Sequence, residues 1–323
     1  MPRSTRDKVR CFGGLVRRYL FVLLLGSTFA QSQGGGTLPV KQQLLWQKLD
    51  TVVHEVDRNL DGFLGVAVED LTSTQTLFWQ PDEVFAQAST IKIAVLAELY
   101  RQAQEGKLKL TDVYTVQKSD LVQDSDIMNG LTPGVTSITL HDLATMMVAV
   151  SDNSATNVLI DRVGLENVNT MLDSLGLKHT RLRRKMMDLK AASEGRENIS
   201  TPREMMTLLA LVYQGKVLNK EMTADFLTIL STHKDSWIPR DLPEGVRIAN
   251  KPGSLEGVRN DCGVIFVDRR PYALCVMTAY LRNERDGEEA ISKISLAAYR
   301  MFDRIARASE YGRVISPANS SKP

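Results

Sequence analysis

Apolar side chains recur at helical spacing near both ends of the chain. Over residues 40–60 they recur every three or four positions, and residues 287–306 repeat the pattern, so each segment is predicted to form an amphipathic helix. Strand patterns follow the first segment at 62–71 and 75–85, and precede the last at 246–251, 259–267 and 272–281. Residues 89–230 are predicted to be helical, except for an aperiodic stretch at 181–200 that predicts a long ordered loop.

This order of elements predicts an α/β chain of the α+β type. The outer segments can share one antiparallel sheet flanked by an N-terminal and a C-terminal helix, with a second, all-helical lobe inserted between them. We therefore expect one catalytic domain over residues 39–314. Its sheet lobe would comprise 39–88 and 231–308, and its helical lobe 89–230. A cleft between two lobes is a natural place for a ligand.

Residues 1–30 differ from the rest of the chain. Six basic side chains precede a short apolar run at 19–25, and small residues follow it, which is typical of a signal peptide. The apolar run is shorter than the roughly 20 residues that span a bilayer, so no stable membrane span is expected. Residues 31–38 predict a glycine-rich linker and 315–323 a disordered polar tail. We expect an exported protein, periplasmic or secreted.

Charge and cysteine usage narrow the choice of partners. Removing 1–30 takes away six basic and one acidic side chain, so the net charge changes from +2 to −3. No basic patch then remains to indicate nucleic-acid binding. Cys262 and Cys275 flank a predicted turn, so they can form a cross-strand disulfide or remain two small buried thiols.

Candidate chemistry begins with Ser89-Thr90-Ile91-Lys92, which starts an apolar predicted helix. Serine and lysine three positions apart lie one turn apart on one helix face. Burial lowers the pKa of a lysine, and such a lysine can take a proton from the serine. The pattern alone is weak, because Ser231-Thr232-His233-Lys234 also matches it in a polar stretch.

Two further motifs follow in order. Ser151-Asp152-Asn153 comes after an apolar stretch, and Lys251-Pro252-Gly253, followed by Ser254, ends a predicted strand. Each alone is compatible with a helix cap or a simple turn. Together the three resemble the S-x-x-K, S-D-N and K-T-G set of class A β-lactamases and penicillin-binding proteins. The resemblance covers about residues 40–306 and is closest to the class A enzymes.

The resemblance implies a role for each motif residue. Ser89 would be the acylated nucleophile, Lys92 its base, and Ser151 the donor to the leaving nitrogen. The substrate would be bound by Asn153, Lys251, Gly253, Ser254 and Arg259. Among these, Lys251 would hold the substrate carboxylate, Arg259 occupies a place where some members carry a carboxylate-binding arginine, and the N–H groups of Ser89 and Ser254 would form the oxyanion hole.

The chain departs from the family pattern at two positions. Pro252 replaces the usual Thr or Ser, which an open sheet edge tolerates. Met186 stands where the family carries the glutamate that activates the deacylating water, and Lys190 stands where it carries an asparagine. Three carboxylates lie nearby, and Asp188 is the favoured substitute base, with Glu194 and Glu197 as the other candidates.

We expect a serine hydrolase that opens β-lactam rings through an acyl-Ser89 intermediate. A D-Ala-D-Ala peptidase or other cell-wall or ester hydrolase on the same fold, or a slow-turnover penicillin-binding protein, remains open. The partner is thus a small β-lactam or a cell-wall peptide, and a monomer is expected. The four histidines lack ligand spacing, so no metal or other cofactor is expected, and no G-x-S-x-G motif supports a Ser-His-Asp hydrolase.

Overall fold

A computed structural model describes residues 39–309 and 311–315 of the chain. The predicted signal peptide and linker lie outside these residues, as does most of the predicted tail. Within the predicted tail, Ile315 is described, and its backbone N–H donates to the carbonyl of Arg307. Nine α-helices are described: α1 Val40–Asn59, α2 Lys92–Gln104, α3 Leu140–Ala149, α4 Asn153–Val163, α5 Leu165–Ser174, α6 Leu189–Ser193, α7 Pro202–Tyr213, α8 Lys220–Leu230 and α9 Glu284–Arg307.

Five strands form the main antiparallel sheet, in the order β2-β1-β9-β8-β7. Their bounds are β1 Phe63–Asp70, β2 Thr76–Trp79, β7 Arg247–Leu255, β8 Val258–Phe266 and β9 Tyr272–Ala279. Two-residue strands β3 (Phe85–Ala86) and β6 (Ile199–Ser200) pair with each other, and the three-residue strands β4 (Val113–Thr115) and β5 (Ser137–Thr139) form a second pair. First and last parts of the chain thus share one sheet, which confirms the predicted α+β class.

Two apolar clusters stabilise the fold on opposite faces of the sheet. Helices α1 and α9 cover one face, where Val53, Phe302 and Ile294 pack on Tyr272 and Val276. The second cluster joins the other face to the helices, and it is continuous from strand residues through the interior of α2, α4 and α7. Helix α2 is buried continuously from Lys92 to Tyr100 because it passes through this core.

The second strand of the first hairpin is shorter than predicted. It ends at Trp79, and Phe85–Ala86 pairs with Ile199–Ser200 of the long loop. The chain therefore leaves the sheet before Ser89 and ties the segment ahead of Ser89 to the end of the loop. This pairing is long-range, so the local alternation of the sequence could not indicate it.

Pro252 lies inside β7, which continues to Leu255 rather than ending near Lys251. Strand β7 is at the edge of the sheet, with β8 as its only neighbour in that sheet. A proline lacks the backbone N–H that an inner strand would need, and an edge strand can do without one such donor. The same edge of β7 faces the turn that carries Ser89, where the cleft opens. Because no further strand of the sheet pairs with this edge, Pro252 costs the sheet no hydrogen bond there.

Threonine side chains cap the starts of two helices. Thr139 and Thr201 cap α3 and α7 through their side-chain oxygens. Glu204, three residues after Thr201, accepts hydrogen bonds from the backbone of His179 and Thr180. It therefore fixes the start of the long loop rather than its own helix.

Cys262 and Cys275 are directly opposite each other on β8 and β9, and their sulfurs are bonded. Both side chains are fully buried in the core under the sheet. Of the two alternatives that the sequence leaves open, the structure has the disulfide.

Within the part of the chain that the structure describes, no helix has the length and apolar character needed to cross a bilayer.

Candidate active site

Ser89 lies in a short 3₁₀ turn, Ala88–Ile91, that leads directly into α2. It lines a cleft of about 620 Å³ between the sheet edge, the helices and the long loop. Four cleft-lining residues have a left-handed backbone with φ between 50° and 61°: Ala88, Asp124, Ser151 and Met187. Non-glycine residues held in this region store strain, which concentrates at functional sites.

The motif residues converge on the hydroxyl of Ser151. Lys92 Nζ lies 3.0 Å from Ser151 Oγ, and Lys251 Nζ approaches the same oxygen, also at 3.0 Å. Lys92 also donates to the carbonyl of Ser151 at 2.6 Å and to Oδ1 of Asn153 at 2.9 Å. Three segments, separated in turn by 59 and by 100 residues of sequence, therefore meet at one oxygen atom.

Burial lowers the pKa of both lysines. It lowers the pKa of Lys92 well below the ordinary value, and the neighbouring charge of Lys251 lowers it further. Burial likewise lowers the pKa of Lys251 to about 7, with Lys234 acting in the same direction. Both lysines donate to the Ser151 hydroxyl, and a lysine whose pKa is lowered gives up a proton more readily and can then act as a base. This arrangement can relay a proton across the cleft.

Gly253 allows β7 to approach the nucleophile closely. A Cβ atom at this position would lie 2.9 Å from the backbone nitrogen of Ser89 and 2.8 Å from the carbonyl of Gln87. Only glycine fits there without displacing backbone. Ser254, the next residue, also lines the cleft, so the backbone of β7 and the start of α2 border one small space. Two N–H groups in such a space can stabilise an oxyanion.

Asn153 is positioned by the start of α4. The carboxylate of Asp152 caps this helix through the backbone N–H of Ala155, and it also accepts from the backbone of Ile127 and Met128. Asn153 itself donates from Nδ2 to the carbonyl of Asp124 while it accepts from Lys92. Asp152 is thus a structural anchor, whereas the amide of Asn153 lines the cleft.

Met186 forms part of the cleft wall and is 7% exposed. Its backbone is held on both sides by Asn157 of α4, whose Oδ1 accepts from the Met186 N–H at 2.8 Å and whose Nδ2 donates to the Met186 carbonyl at 3.0 Å. The thioether of methionine is neither a base nor a strong hydrogen-bond acceptor. The loop therefore presents an apolar group to the space beside the nucleophile.

The three candidate carboxylates have different surroundings. Asp188, the favoured substitute base, caps the short helix α6 through the N–H of Ala191 and lies outside the cleft lining. Glu194 pairs with Arg196 in an exposed position. Glu197 lines the cleft, and its carboxylate lies 2.7 Å from the guanidinium of Arg184. Lys190 is exposed and also lies outside the cleft lining.

Arg259 is not brought into the cleft. Its guanidinium pairs with Glu284 and Glu288 of α9 and donates to the carbonyls of Leu255 and Val258. The resemblance suggested a carboxylate-binding arginine at this position, but the side chain is turned towards α9. Nothing in the local pattern signals this orientation, because the acidic partners lie 25 and 29 residues further along the chain.

Several cleft-lining residues were missed by the sequence analysis. Asp124 and Asp126 lie on the helical side, and Asp235 and Trp237 lie between α8 and β7. Lys234, from the second S-x-x-K match, is largely buried and donates to the carbonyls of Leu230 and Thr232 at the end of α8. Burial lowers its pKa to about 8. Lys234 is related to the cleft only because the tertiary structure brings it near Lys251 on β7, a strand distant in sequence.

Comparison with known proteins agrees with this geometry. The model of the "Beta-lactamase enzyme family" matches residues 44–302, which is most of the chain. The chain belongs to the β-lactamase enzyme family. It is 27% identical over 260 residues to β-lactamase SME-1 of Serratia marcescens, covering 78% of this chain and 88% of that protein. It is 29% identical over 241 residues to a β-lactamase of Bacillus licheniformis, covering 72% and 76%.

Solved structures of this family superpose on the chain. A β-lactamase of Sphaerobacter thermophilus has a TM-score of 0.73 at 32% identity, covering 79% of this chain and 97% of that one. The protein PBP-A gives the same TM-score at 26% identity, with coverages of 80% and 96%. A point variant of PBP-A has been solved as an acyl-enzyme complex with penicillin G. The chain is a β-lactamase-like serine hydrolase.

Over residues 39–309 and 311–315, no group of three or more His, Cys, Asp or Glu side chains is placed to hold a metal ion.

Proposed function

We propose that β-lactams acylate Ser89 and that the acyl-enzyme is hydrolysed slowly. Lys92 takes the proton of Ser89, Ser151 passes a proton to the leaving nitrogen, and Lys251 binds the substrate carboxylate. Asn153 binds the substrate amide, and the N–H groups of Ser89 and Ser254 receive the oxyanion, with Gly253 allowing their approach. The observation that carries this proposal is the Ser151 hydroxyl held at 3.0 Å by both lysines.

Slow hydrolysis follows from the loop. Water must attack the acyl-Ser89 ester, and near neutral pH it needs a base to take its proton. Met186 fills the wall where the family carries a glutamate, and the one loop carboxylate that lines the cleft among the three candidates, Glu197, is paired with Arg184. The same observation favours a second candidate function, a D-Ala-D-Ala peptidase or penicillin-binding protein on this fold. Its acyl-enzyme with a penicillin would persist.

We further propose an exported monomer, periplasmic or secreted, that acts on small molecules and not on nucleic acid. In that setting the activity would contribute to β-lactam catabolism and resistance. The basic leader with its short apolar run supports export. The buried disulfide fits an oxidising compartment, since cytosolic thiols are kept reduced.

Mass spectrometry of the mature protein mixed with benzylpenicillin tests the proposal. We expect an adduct of about 334 Da, the mass of the intact penicillin, on Ser89 that forms quickly and decays slowly. Ser89→Ala should abolish it. Ser231→Ala is the matched control, because Ser231 belongs to the other S-x-x-K match and donates to the carbonyl of Leu227. An adduct that survives in Ser89→Ala would refute the assignment of the nucleophile. Release of D-alanine from peptides would favour the second candidate.

A further inference from the structure

Trp237 is a cleft-lining aromatic residue for which the proposed chemistry provides no role. It lies in the segment between α8 and β7, and its side chain is half-buried. Its neighbour Ile238 is fully buried, and so anchors this segment in the core formed by α1, α9 and the sheet. Trp237 packs against the same core and also borders the cleft, so it is held on a fixed base.

Four hydrogen bonds to the backbone hold the base of Trp237. The carboxylate of Asp261 on β8 accepts from the N–H groups of Trp237 and Ile238 at 3.1 and 2.9 Å. From α9, the hydroxyl of Ser292 donates to the Trp237 carbonyl at 3.0 Å, and that of Ser295 donates to the Ile238 carbonyl at 2.7 Å. We call these three side chains the backbone clamp.

The backbone clamp is buried and belongs to the Lys251 end of the cleft. Asp261, Ser292 and Ser295 are all at most 1% exposed. Asp261 also accepts from Nδ2 of Asn250 at 2.8 Å, and Asn250 directly precedes Lys251 on β7. Hydrogen bonds in a dry interior are costly to leave unmade, so this segment has one strongly preferred position. Trp237 is thereby fixed relative to the strand that carries Lys251.

The surface that Trp237 offers to a ligand is aromatic. The guanidinium of Arg259 lies 5.8 Å from the centre of its ring, but the donors of that guanidinium are taken by α9 and by the carbonyls of β7 and β8. The position where a carboxylate-binding arginine was expected is therefore bordered by an indole ring. A rigid aromatic ring provides a large contact area at little cost in conformational entropy.

We infer that Trp237 is a specificity-determining residue at the Lys251 end of the cleft, where it packs against the carboxylate-bearing ring of the substrate. Asp261, Ser292 and Ser295 are positioning residues that act through it. The inference rests on the proposed function, because it assigns a contact to the ligand that acylates Ser89. It places the contact on the fused ring common to penicillins, and not on their variable acyl side chain.

Acylation kinetics with two probes test this assignment. Benzylpenicillin carries an aromatic acyl side chain, whereas 6-aminopenicillanic acid has the same fused ring and carboxylate without it. For Trp237→Ala we expect the half-saturating concentration to rise about tenfold for both probes, equivalent to about 1.4 kcal/mol. The limiting acylation rate should change less than about threefold, since Trp237 touches no reacting atom. Trp237→Phe should restore most of the loss with both probes.

The backbone clamp has its own variant. Ser292→Ala with Ser295→Ala should raise the half-saturating concentration in the same direction, and Ser174→Ala is the matched control. The Ser174 hydroxyl bonds within α5, to the carbonyl of Met171. Circular dichroism checks that each variant is folded, and Trp237→Phe tests the ring even where the double variant does not fold.

Different results would refute the proposed function and the role of Trp237. If neither probe acylates the parent protein, the proposed function fails, and this inference fails with it. If the parent is acylated but Trp237→Ala keeps the parental half-saturating concentration, only the role of Trp237 is refuted. An effect confined to benzylpenicillin would also refute it, because the ring would then contact the acyl side chain.

Discussion

Met186→Glu should convert slow deacylation into faster turnover. Asn157 fixes the backbone of residue 186 through two hydrogen bonds of 2.8 and 3.0 Å, so a glutamate would leave the loop from the same point as the methionine. Since Met186 lines the cleft, a carboxylate at this position would border the same space. Partial burial raises the pKa of a carboxyl towards neutral, which suits a general base.

The size of the gain follows from two opposing effects. A well-placed general base contributes about 10²- to 10⁴-fold, and a misplacement of about 1 Å can remove about 10²-fold of that. Lys190 stands where the family carries an asparagine, so we expect the lower part of this range, about 10- to 100-fold. This corresponds to about 1.4 to 2.7 kcal/mol in the deacylation barrier.

Met186→Gln is the matched control for this variant. Glutamine has the size and polarity of glutamate but cannot accept the proton of water. The assay follows nitrocefin hydrolysis for the burst and the steady state, and mass spectrometry measures the fraction of acyl-enzyme. We expect a parental burst with both variants and a faster steady state with glutamate alone. Equal steady-state rates for the two variants, or a parent that turns over quickly without a burst, would refute the reasoning.

Three further predictions address Lys251, the loop carboxylates and the disulfide. Because the pKa of Lys251 is lowered to about 7, its charge is present below about pH 7 and lost above it. Acylation by benzylpenicillin should therefore decline above pH 7, and acylation by its methyl ester should not. Glu197→Gln should slow the remaining turnover at least about tenfold. Asp188→Asn keeps a capping side chain and should leave the turnover unchanged. The reverse result would indicate that Asp188 is the base for the deacylating water. Replacing Cys262 and Cys275 with alanine should lower the free energy of unfolding by about 3 kcal/mol in urea titrations, and an unchanged midpoint would contradict this.

Local sequence was enough to identify much of the site. An S-x-x-K pattern ahead of an apolar stretch places serine and lysine one turn apart where a helix forms, and the chain places Ser89 in the 3₁₀ turn that leads into α2 and Lys92 at the first position of α2. The helix starts at Thr139 and Thr201 follow from short-range capping chemistry. The apolar character of residue 186 is likewise a property of the sequence alone. Such features depend on residues within about one helical turn of each other.

Tertiary structure determines the orientation of these side chains and the residues that they contact. Arg259 turns to α9 because Glu284 and Glu288 lie there, and a strand residue cannot reveal partners 25 to 29 positions away. The carboxylate of Asp188 caps α6, a helix that the sequence pattern of residues 181–200 did not predict. Trp237 borders the cleft because β8 and α9 hold its backbone there. Each of these depends on contacts between segments that are distant in sequence, and hydrophobic periodicity carries no information about such contacts.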